Sequence, residues 1–191
     1  MIKRCEWSGD NPLYVKYHDK EWGVPVHNDK KLFEFIMLEG AQAGLSWLTV
    51  LKKRAAYREA FDKFNFEKIA KYKKSKIKSL MNDSGIIRNR MKIDSAVRNA
   101  KAFIQVRKEF GTFNKYIWSF ANDKPIQNKW KCMQELPAKT ELSDTISSDL
   151  KKRGFNFVGS TIIYAHMQAT GMVNDHETKC FRYAEIKKIS T

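Results

Sequence analysis

The chain of 191 residues carries 36 Lys and Arg against 21 Asp and Glu, which gives a formal net charge of +15. Its 42% hydrophobic and 13% aromatic content is typical of a packed globular protein and excludes a disordered one. No apolar stretch approaches the ~20 residues of a membrane helix, and the N-terminal sequence lacks the apolar core of a signal peptide. We therefore expect one cytoplasmic domain over residues 1–191.

The positive charge indicates a polyanionic partner, because Lys and Arg replace the counterions of nucleic acid phosphates. An anionic membrane would attract the same charge, but the sequence offers no strongly amphipathic, Lys-rich terminal helix as an anchor. A general basic bias without a polyanionic partner is the remaining alternative.

A short helix with aromatic residues on one face is predicted near the N-terminus, behind a capping Asp-Asn pair. Tyr14, Tyr17 and His18 share that face, because they are three or four residues apart. Trp7 precedes the helix and Trp22 follows it. A group of rings at this spacing is typical of a core, but Tyr and Trp also keep polar groups that suit a binding site.

The most unusual feature of the sequence is one carboxylate, Glu39, at the end of a predicted apolar helix that begins after Asn28 or Asp29. Trp47 closes the same stretch. Burying a carboxylate is costly unless it is paired or hydrogen-bonded. We infer that Glu39 meets a ligand held against aromatic faces. The alternative is a surface or capping residue at a helix end.

The turn between Glu39 and Ser46 places Gly44 and Leu45 at its tip, and Ser46 is the predicted cap of the next helix. A small residue followed by an apolar one, beside a polar site, is what a wedge into a nucleic acid duplex requires. A buried loop leucine is the alternative interpretation of Leu45.

A Lys-rich helix over residues 65–83 leads into a turn at Gly85 and Ile86, and a long amphipathic helix is predicted over residues 88–106. The backbone amides of such a turn and of the following helix start point at a phosphate. The pattern resembles a helix-hairpin-helix, which clamps the DNA backbone, although Ile87 replaces its usual second glycine. An ordinary helix-turn-helix corner is the alternative, and the lysines alone are typical of a solvated face.

Three further helices are predicted over residues 113–120, 143–153 and 160–170. Residues 121–142 are predicted to form a long loop, in which Trp130 and Cys132 are interpreted as packing residues. No segment alternates apolar and polar residues over strand length, so the predicted fold class is all-α.

The cysteines make an odd count, and disulfides are disfavoured in a cytoplasmic protein. His176 and Cys180 are four residues apart, which brings both within reach of one metal ion if they lie on a helix. Cys5 and His18 are N-terminal candidates for the other two ligands, and His27 competes for the same role. If the two pairs converge, the site is a closed structural zinc that joins both ends of the chain.

Read together, these motifs resemble the DNA-3-methyladenine glycosylase I family of constitutive bacterial alkylation-repair enzymes. The resemblance covers nearly the whole chain, in the blocks RCEW, PLYVKYHDKEWGVP, LEGAQAGLSWLTVLKKR, GIIRNRMKI, KKRGFNFVGSTIIY and VNDH. It implies a helix-hairpin-helix glycosylase fold with the hairpin near residues 80–93. It also implies one structural Zn²⁺ that joins the N- and C-terminal segments through Cys5, His18, His176 and Cys180.

The resemblance further implies that Glu39 is the catalytic group and contacts the damaged base together with Tyr17 and Trp47. The other residues expected to line the base pocket are Trp7, Tyr14, Trp22 and Gln42. From the hairpin and the turn tip, the expected DNA contacts are Gly44, Leu45, Gly85, Ile86, Arg88 and Lys92.

The implied activity is that of a monofunctional DNA glycosylase, which flips 3-methyladenine out of double-stranded alkylated DNA and hydrolyses its glycosidic bond. We expect free 3-methyladenine as the product, no lysine Schiff base, and a monomer that does not bind membranes. One alternative is a non-catalytic helix-hairpin-helix DNA-binding module with a structural zinc. A basic RNA-binding protein is a third, for which the sequence shows no signature motif.

Overall fold

The computed structural model of the protein describes residues 2–189 and is mostly helical within that range. The α-helices are α1 (Pro12–Lys20), α2 (Asp29–Gln42), α3 (Trp47–Ala60), α4 (Phe66–Ile69), α5 (Lys74–Asn82), α6 (Arg90–Phe110), α7 (Phe113–Ser119), α8 (Glu141–Lys152), α9 (Ser160–Ala169) and α10 (Phe181–Ile189). Short 3₁₀ turns span Glu6–Ser8, Asp62–Phe64 and Met133–Glu135. The strands β1 (Ile126–Gln127) and β2 (Val173–Asn174) form one parallel pair.

Helix α2 is the centre of the fold, and residues 32–41 are buried without interruption. It contacts α3, α6, α7 and α9, which surround it. A helix that is apolar on all sides is stable only when it is enclosed. The first half of α2 contains one buried acid, Glu34, which is paired with Arg54 at 2.8 Å and with Arg58 at 3.1 Å. The carboxylate of Glu39 therefore enters the interior on the most completely buried helix.

The predicted starts of the first three helices are confirmed, because the side chains of Asn11, Asn28 and Ser46 each accept a hydrogen bond from a backbone amide of the first turn. Helix α2 is longer than expected and continues past Glu39 to Gln42. Glu39 therefore lies within the last turn of the helix and does not cap its end.

Other helix starts differ from the predictions. Helix α6 begins two residues later than expected, because the side chain of Asn89 caps it. Helix α8 begins earlier, at a reciprocal capping box between Thr140 and Ser143. Helix α9 begins behind Gly159, which provides no side-chain cap, so the expected Ser160 or Thr161 cap is wrong.

The strictly all-α prediction is wrong in one detail, the β1–β2 pair. Each strand has two residues, which is too short for an alternating pattern to show in the sequence. The pairing attaches part of the predicted long loop to the segment that follows α9.

The two ends of the described chain lie side by side. The Phe181 amide donates to the Lys3 carbonyl at 3.0 Å, and the Glu6 amide donates to the Glu177 carboxylate at 2.7 Å. Within residues 2–189, no helix has both the length and the apolar character needed to cross a membrane.

Candidate functional site

A cavity of about 370 Å³ opens between α1, α2, α3 and α9, and five of its eleven lining residues are aromatic. The residues expected from the sequence to line a base pocket all border it: Trp7, Tyr14, Tyr17, Trp22, Glu39, Gln42 and Trp47. The structure thus brings together a set of side chains that are spread over 41 positions of the sequence, from residue 7 to residue 47. A volume of this size fits a small planar heterocycle.

The rings around the cavity pack in edge-to-face and tilted arrangements. Trp7 packs against Tyr14 with centroids 5.7 Å apart and against Trp22 at 4.9 Å. Tyr17 contacts Trp47 at 5.5 Å. The Tyr14 hydroxyl also accepts a hydrogen bond from the Leu48 amide at 3.0 Å, which fixes α1 against α3. This packing positions the rings before any ligand arrives.

Glu39 is the only carboxylate on the cavity wall among the described residues, and it is 3% exposed. No described residue donates a hydrogen bond to it or forms an ion pair with it. Burial raises the pKa of Glu39 to about 8, and the positive charge of Arg54 opposes that rise. Arg54 is itself paired with Glu21 and Glu34. The surface and capping interpretation of Glu39 is therefore wrong.

Two buried indole N–H groups lie beside this cavity. The Trp7 N–H has no partner among residues 2–189, and the Trp47 N–H is directed at the Tyr17 hydroxyl. Buried polar groups are normally satisfied, so unpaired ones beside a cavity indicate a ligand or ordered water. The cavity thus offers one carboxylate and several ring faces, with the buried Trp7 N–H beside it. These groups complement a flat, nitrogen-rich base that carries a positive charge.

Sequence reasoning missed the outer wall of the cavity, which consists of Met133, Leu136, Ala165 and Gln168. Met133 and Leu136 come from the predicted long loop, and the other two come from α9. No local pattern indicates that a loop with irregular structure faces a binding site. The block VNDH was one signal, because it contains the aspartate that holds this loop.

Asp175 connects the loop to α9 and is 1% exposed. Its carboxylate accepts hydrogen bonds from Asn128 at 2.6 Å, Trp130 at 2.8 Å, Tyr164 at 2.6 Å and Gln168 at 2.8 Å. The interpretation of Trp130 as a packing residue is incomplete, since its indole N–H is one of these donors. Four donors on one carboxylate fix the loop that carries Met133 over the cavity.

We predict that Asp175→Asn destabilises the protein, because an amide NH₂ faces groups that are themselves donors. Each buried donor left without an acceptor costs about 1–3 kcal/mol, so the free energy of unfolding should fall by at least about 2 kcal/mol. Urea unfolding measures this change. The exposed Asp123 provides the matched control, because Asp123→Asn should leave stability unchanged. An equal effect of both substitutions would contradict the anchoring role.

The second site is a buried cluster of Cys5, His18, His176 and Cys180, whose donor atoms all lie within 4.8 Å of one another. The Cys5 sulfur is 3.4 Å from His176 Nδ1, and the Cys180 sulfur is 3.4 Å from His18 Nε2. The hydrogen bond between the two cysteines raises the pKa of Cys5 and lowers that of Cys180. Two sulfur and two imidazole donors at this spacing could hold a metal ion, and the set fits zinc.

The outer nitrogens of both histidines are held by hydrogen bonds, which orients the rings toward the cluster. His18 Nδ1 lies 2.8 Å from Asp19, and Arg4 binds the same carboxylate at 2.8 Å. His176 Nε2 donates to the Trp22 carbonyl at 3.1 Å. Such outer contacts fix the tautomer of a metal-binding histidine. Because Trp22 also lines the cavity, the cluster supports the wall of the ring-lined pocket.

The competing metal ligand, His27, lies outside the cluster. Its ring is exposed and hydrogen-bonded to Asn114 at 2.9 Å. The third cysteine, Cys132, is also outside the four-residue cluster. Of the ligands considered from the sequence, the structure therefore brings together only the set that the family resemblance implied.

The turn between α5 and α6 contains Gly85 and Ile86, as expected. Gly85 is required by close approach, because a Cβ there would lie 2.9 Å from the Cβ of Ala56. The Gly85 amide already donates to Asp83 at 2.8 Å, so it is not free for a phosphate. Ile86 is 2% exposed and anchors the turn in the core, whereas Arg88 is exposed.

The turn after α2 carries Gly44 at φ +77° and Leu45, whose side chain is 42% exposed. The buried-leucine interpretation is therefore wrong. A second cavity of about 260 Å³ lies between this turn and α9, and Glu39 and Gln42 border it as well. Lys92, expected to contact DNA, directs its amine at two backbone carbonyls of the α2 end. The exposed leucine thus stands beside the ring-lined cavity.

Comparison with known proteins agrees with this geometry. Residues 7–183 match the methyladenine glycosylase family. A DNA-3-methyladenine glycosylase of Haemophilus influenzae is 51% identical over 180 residues, covering 94% of this chain and 97% of the relative. A crystal structure of 3-methyladenine DNA glycosylase I is 46% identical with a TM-score of 0.92, covering 94% of this chain and 98% of the other.

A further solved structure shows a variant of 3-methyladenine DNA glycosylase I in complex with 3-methyladenine. It is 33% identical with a TM-score of 0.91, and the match covers 94% of this chain and 97% of that one. The family match spans most of the chain, and the curated relative is similar over nearly its full length. This chain therefore belongs to the methyladenine glycosylase family.

Proposed function

We propose that this chain is a monofunctional DNA glycosylase that excises 3-methyladenine from alkylated double-stranded DNA in base excision repair. The observation that carries the proposal is the buried, unpaired carboxylate of Glu39 in a cavity walled by aromatic rings. Family membership supports the same activity. The relatives named above act on or bind 3-methyladenine.

The substrate explains why the site contains so little catalytic apparatus. Adenine methylated at N3 within DNA carries a positive charge, so its bond to the sugar is weakened and the departing base is neutral. Glu39 balances the charge and accepts hydrogen bonds from the base edge. Trp47 and the tyrosines stack on the electron-poor ring, with a cation–π contribution of about 1–2 kcal/mol when water is excluded. Water then attacks the sugar as the bond breaks.

The protonation of Glu39 links base binding to selectivity. With its pKa near 8, the carboxyl group of the free protein is largely neutral at neutral pH. A cationic base brought against it stabilises the carboxylate and lowers the pKa. Normal adenine carries no charge and gains none of this energy. Glu39 therefore discriminates by charge, and the rings discriminate by shape.

We propose that the cysteine–histidine cluster holds one structural Zn²⁺. The donor set, its burial and the fixed histidine tautomers support this assignment. Four protein ligands leave no open position, so the ion would stabilise the fold and would not activate water. Cys5 and His18 come from the N-terminal segment and the other two ligands from the C-terminal segment. The ion would then close residues 1–191 into a single domain.

We propose that the α5–α6 turn acts as a helix-hairpin-helix on the DNA backbone, with Arg88 as its exposed cation. Leu45 is the proposed wedge, which fills the space left by the flipped nucleotide. The exposure of both side chains supports these roles. A monomer suffices, since both elements and the base cavity lie on one chain.

We predict that affinity for undamaged duplex falls steeply with salt, because phosphate contacts release counterions. With several contacts, affinity should drop by about 10³-fold between ~50 and ~200 mM salt. The net charge of +15 motivates this expectation. Fluorescence anisotropy at a series of salt concentrations measures the slope. An affinity that does not respond to salt would exclude phosphate binding as the basis of DNA recognition.

The activity is tested on a duplex with 3-methyladenine at one defined position. The protein should release the free base and leave an abasic site without cutting the strand. Borohydride should trap no covalent protein–DNA adduct. Binding of the duplex without base release would favour the non-catalytic DNA-binding module. A trapped adduct would show that the enzyme forms a lysine Schiff base and is not monofunctional.

A further inference from the structure

Lys92 joins two elements that lie far apart in the sequence. Its ammonium group donates to the Ala41 carbonyl at 2.8 Å and to the Ala43 carbonyl at 2.6 Å. Lys92 itself is in the first turn of α6, where its amide donates to the capping side chain of Asn89 at 3.1 Å. One side chain thus connects the start of α6 with the end of α2.

The end of α2 needs such a donor. The last four carbonyls of a helix have no partner within the helix. Ala43 follows α2 with φ −43° and ψ 116°, so the chain turns away and α2 cannot continue. The Leu45 amide reaches the Gln42 carbonyl at 2.6 Å. Lys92 satisfies carbonyls on both sides of Gln42, and its charge is favourable at the negative end of the helix dipole.

Placing the ammonium group against two backbone carbonyls costs free energy, because it removes the group partly from water. Lys92 is half-buried, and burial lowers the pKa of its ammonium group. A lysine whose main role is to bind a phosphate would gain more by staying in solvent, as Arg88 does on the same turn. Two of the three ammonium hydrogens point into the protein. The geometry therefore favours an internal role.

The connected parts are those that the proposed function uses. The α6 start belongs to the hairpin, and Ala43 precedes the turn that carries Gly44 and Leu45. Glu39 lies one helical turn before Ala43 on α2. The side chain of Lys92 therefore links the start of α6 to the helix end that carries Glu39 and precedes the Leu45 turn.

We propose that Lys92 is a positioning residue that fixes the Leu45 turn relative to the hairpin. Docking of the hairpin on the DNA backbone then places Leu45 at the damaged step, with the flipped base directed to Glu39. This inference rests on the proposed function. It revises the expectation that Lys92 contacts DNA directly.

The test is Lys92→Met, which keeps an unbranched side chain, one heavy atom shorter, and removes its charge and donors. Single-turnover release of 3-methyladenine should fall by about 100-fold even when protein saturates the duplex, because a small misplacement of a reacting group has effects of that size. The salt dependence of duplex binding and the affinity for free 3-methyladenine should stay as in the unmodified protein. Unchanged release at saturation would overturn the proposal.

If Lys92 contacted a DNA phosphate directly, the Lys92→Met variant would behave differently. In that case Lys92→Met would reduce the slope of log affinity against log salt by about 0.9, and release would recover at saturating protein. Arg88→Met is the matched variant, for which the reduced slope is expected. Lys101→Met, an exposed position further along α6, should change neither quantity.

A double-variant cycle tests whether Lys92 acts through the wedge. If it does, Lys92→Met combined with Leu45→Ala should slow release no more than the stronger single substitution. Multiplied effects would overturn the proposal. If Lys92→Met fails to fold, Lys92→Gln takes its place, because its amide retains a donor without charge. Lys92→Gln should then keep more activity than a folded Lys92→Leu variant, whose side chain is uncharged and apolar.

Failure of the proposed function and failure of the role proposed for Lys92 give different results. Absence of base release by the unmodified protein would remove the proposed function, and with it the role of Lys92. Normal release by the unmodified protein and by Lys92→Met alike would remove only the role of Lys92.

Discussion

Glu39→Gln should reduce the rate of 3-methyladenine release by about 100-fold or more, a loss typical of removing a buried group that stabilises charge in the transition state. The amide keeps the shape of the side chain but cannot balance the cationic base. Affinity for undamaged duplex should be unchanged, because Glu39 lies inside the cavity and away from the exposed cations. Single-turnover kinetics and anisotropy separate the two effects. Equal loss of release and of duplex binding would show that Glu39 is structural.

The same substitution should stabilise the protein above neutral pH. The pKa of Glu39 is about 8 in the folded chain against 4.5 in the reference state. Between these values the folded chain retains a proton that the unfolded chain has lost, so stability falls as pH rises toward 8 and then levels off. The total is at most roughly 5 kcal/mol at the usual 1.36 kcal/mol per pKa unit. Glu39→Gln removes this loss.

Urea unfolding at about pH 5 and about pH 9 measures the stability effect. The unmodified protein should lose more stability than Glu39→Gln between these two conditions. Binding of the cationic lesion should show the reverse trend, since it requires the carboxylate and should strengthen with pH until about 8. Identical pH profiles for both proteins would contradict a buried carboxyl group with a raised pKa. A residue that opposes stability yet supports activity is typical of a binding site.

Removal of the metal should have the second largest effect. We expect chelation or Cys180→Ser to lower the free energy of unfolding by at least about 4 kcal/mol, because structural zinc contributes directly to folding. The ends of the chain would separate, and the Trp22 carbonyl would lose the orientation given by His176. Affinity for 3-methyladenine should therefore fall together with stability.

Cys132→Ser is the matched control, because Cys132 lies outside the cluster. It should preserve one zinc ion per chain and the unfolding midpoint. Elemental analysis gives the metal content, and thermal unfolding gives the stability. A fully folded protein that contains no zinc, with the same midpoint after chelation, would contradict the structural role of the cluster.

The helices could be predicted because their signals are local. The apolar run around Phe33 and Leu38 indicates a buried helix, and Asn28 marks its start. The aromatic face of α1 follows from residue spacing alone. The four-residue interval also pairs His176 with Cys180, but these residues lie in a turn before α10 and not on the helix that this spacing assumes. The convergence of this pair with Cys5 is a long-range contact, for which only the family resemblance provided an expectation.

The rest of the site depends on contacts that no local pattern contains. Met133 and Leu136 reach the cavity because Asp175 holds their loop from a distant segment. Lys92 follows a hairpin glycine, which is typical of a phosphate contact, but its acceptors are backbone carbonyls. Those carbonyls are available only because α2 ends at Gln42. Backbone acceptors have no sequence signature, so the direction of this amine could not be predicted.

The most direct test of the charge-recognition account is the affinity of the protein for a duplex with cationic 3-methyladenine at one position compared with the same duplex carrying adenine there, measured by stopped-flow anisotropy before base release in the unmodified protein and in Glu39→Gln. We predict that the unmodified protein prefers the methylated duplex by about 100-fold or more, and that the preference largely disappears in Glu39→Gln. Equal affinity for both duplexes, or a preference that survives the substitution, would contradict recognition by a buried carboxyl group.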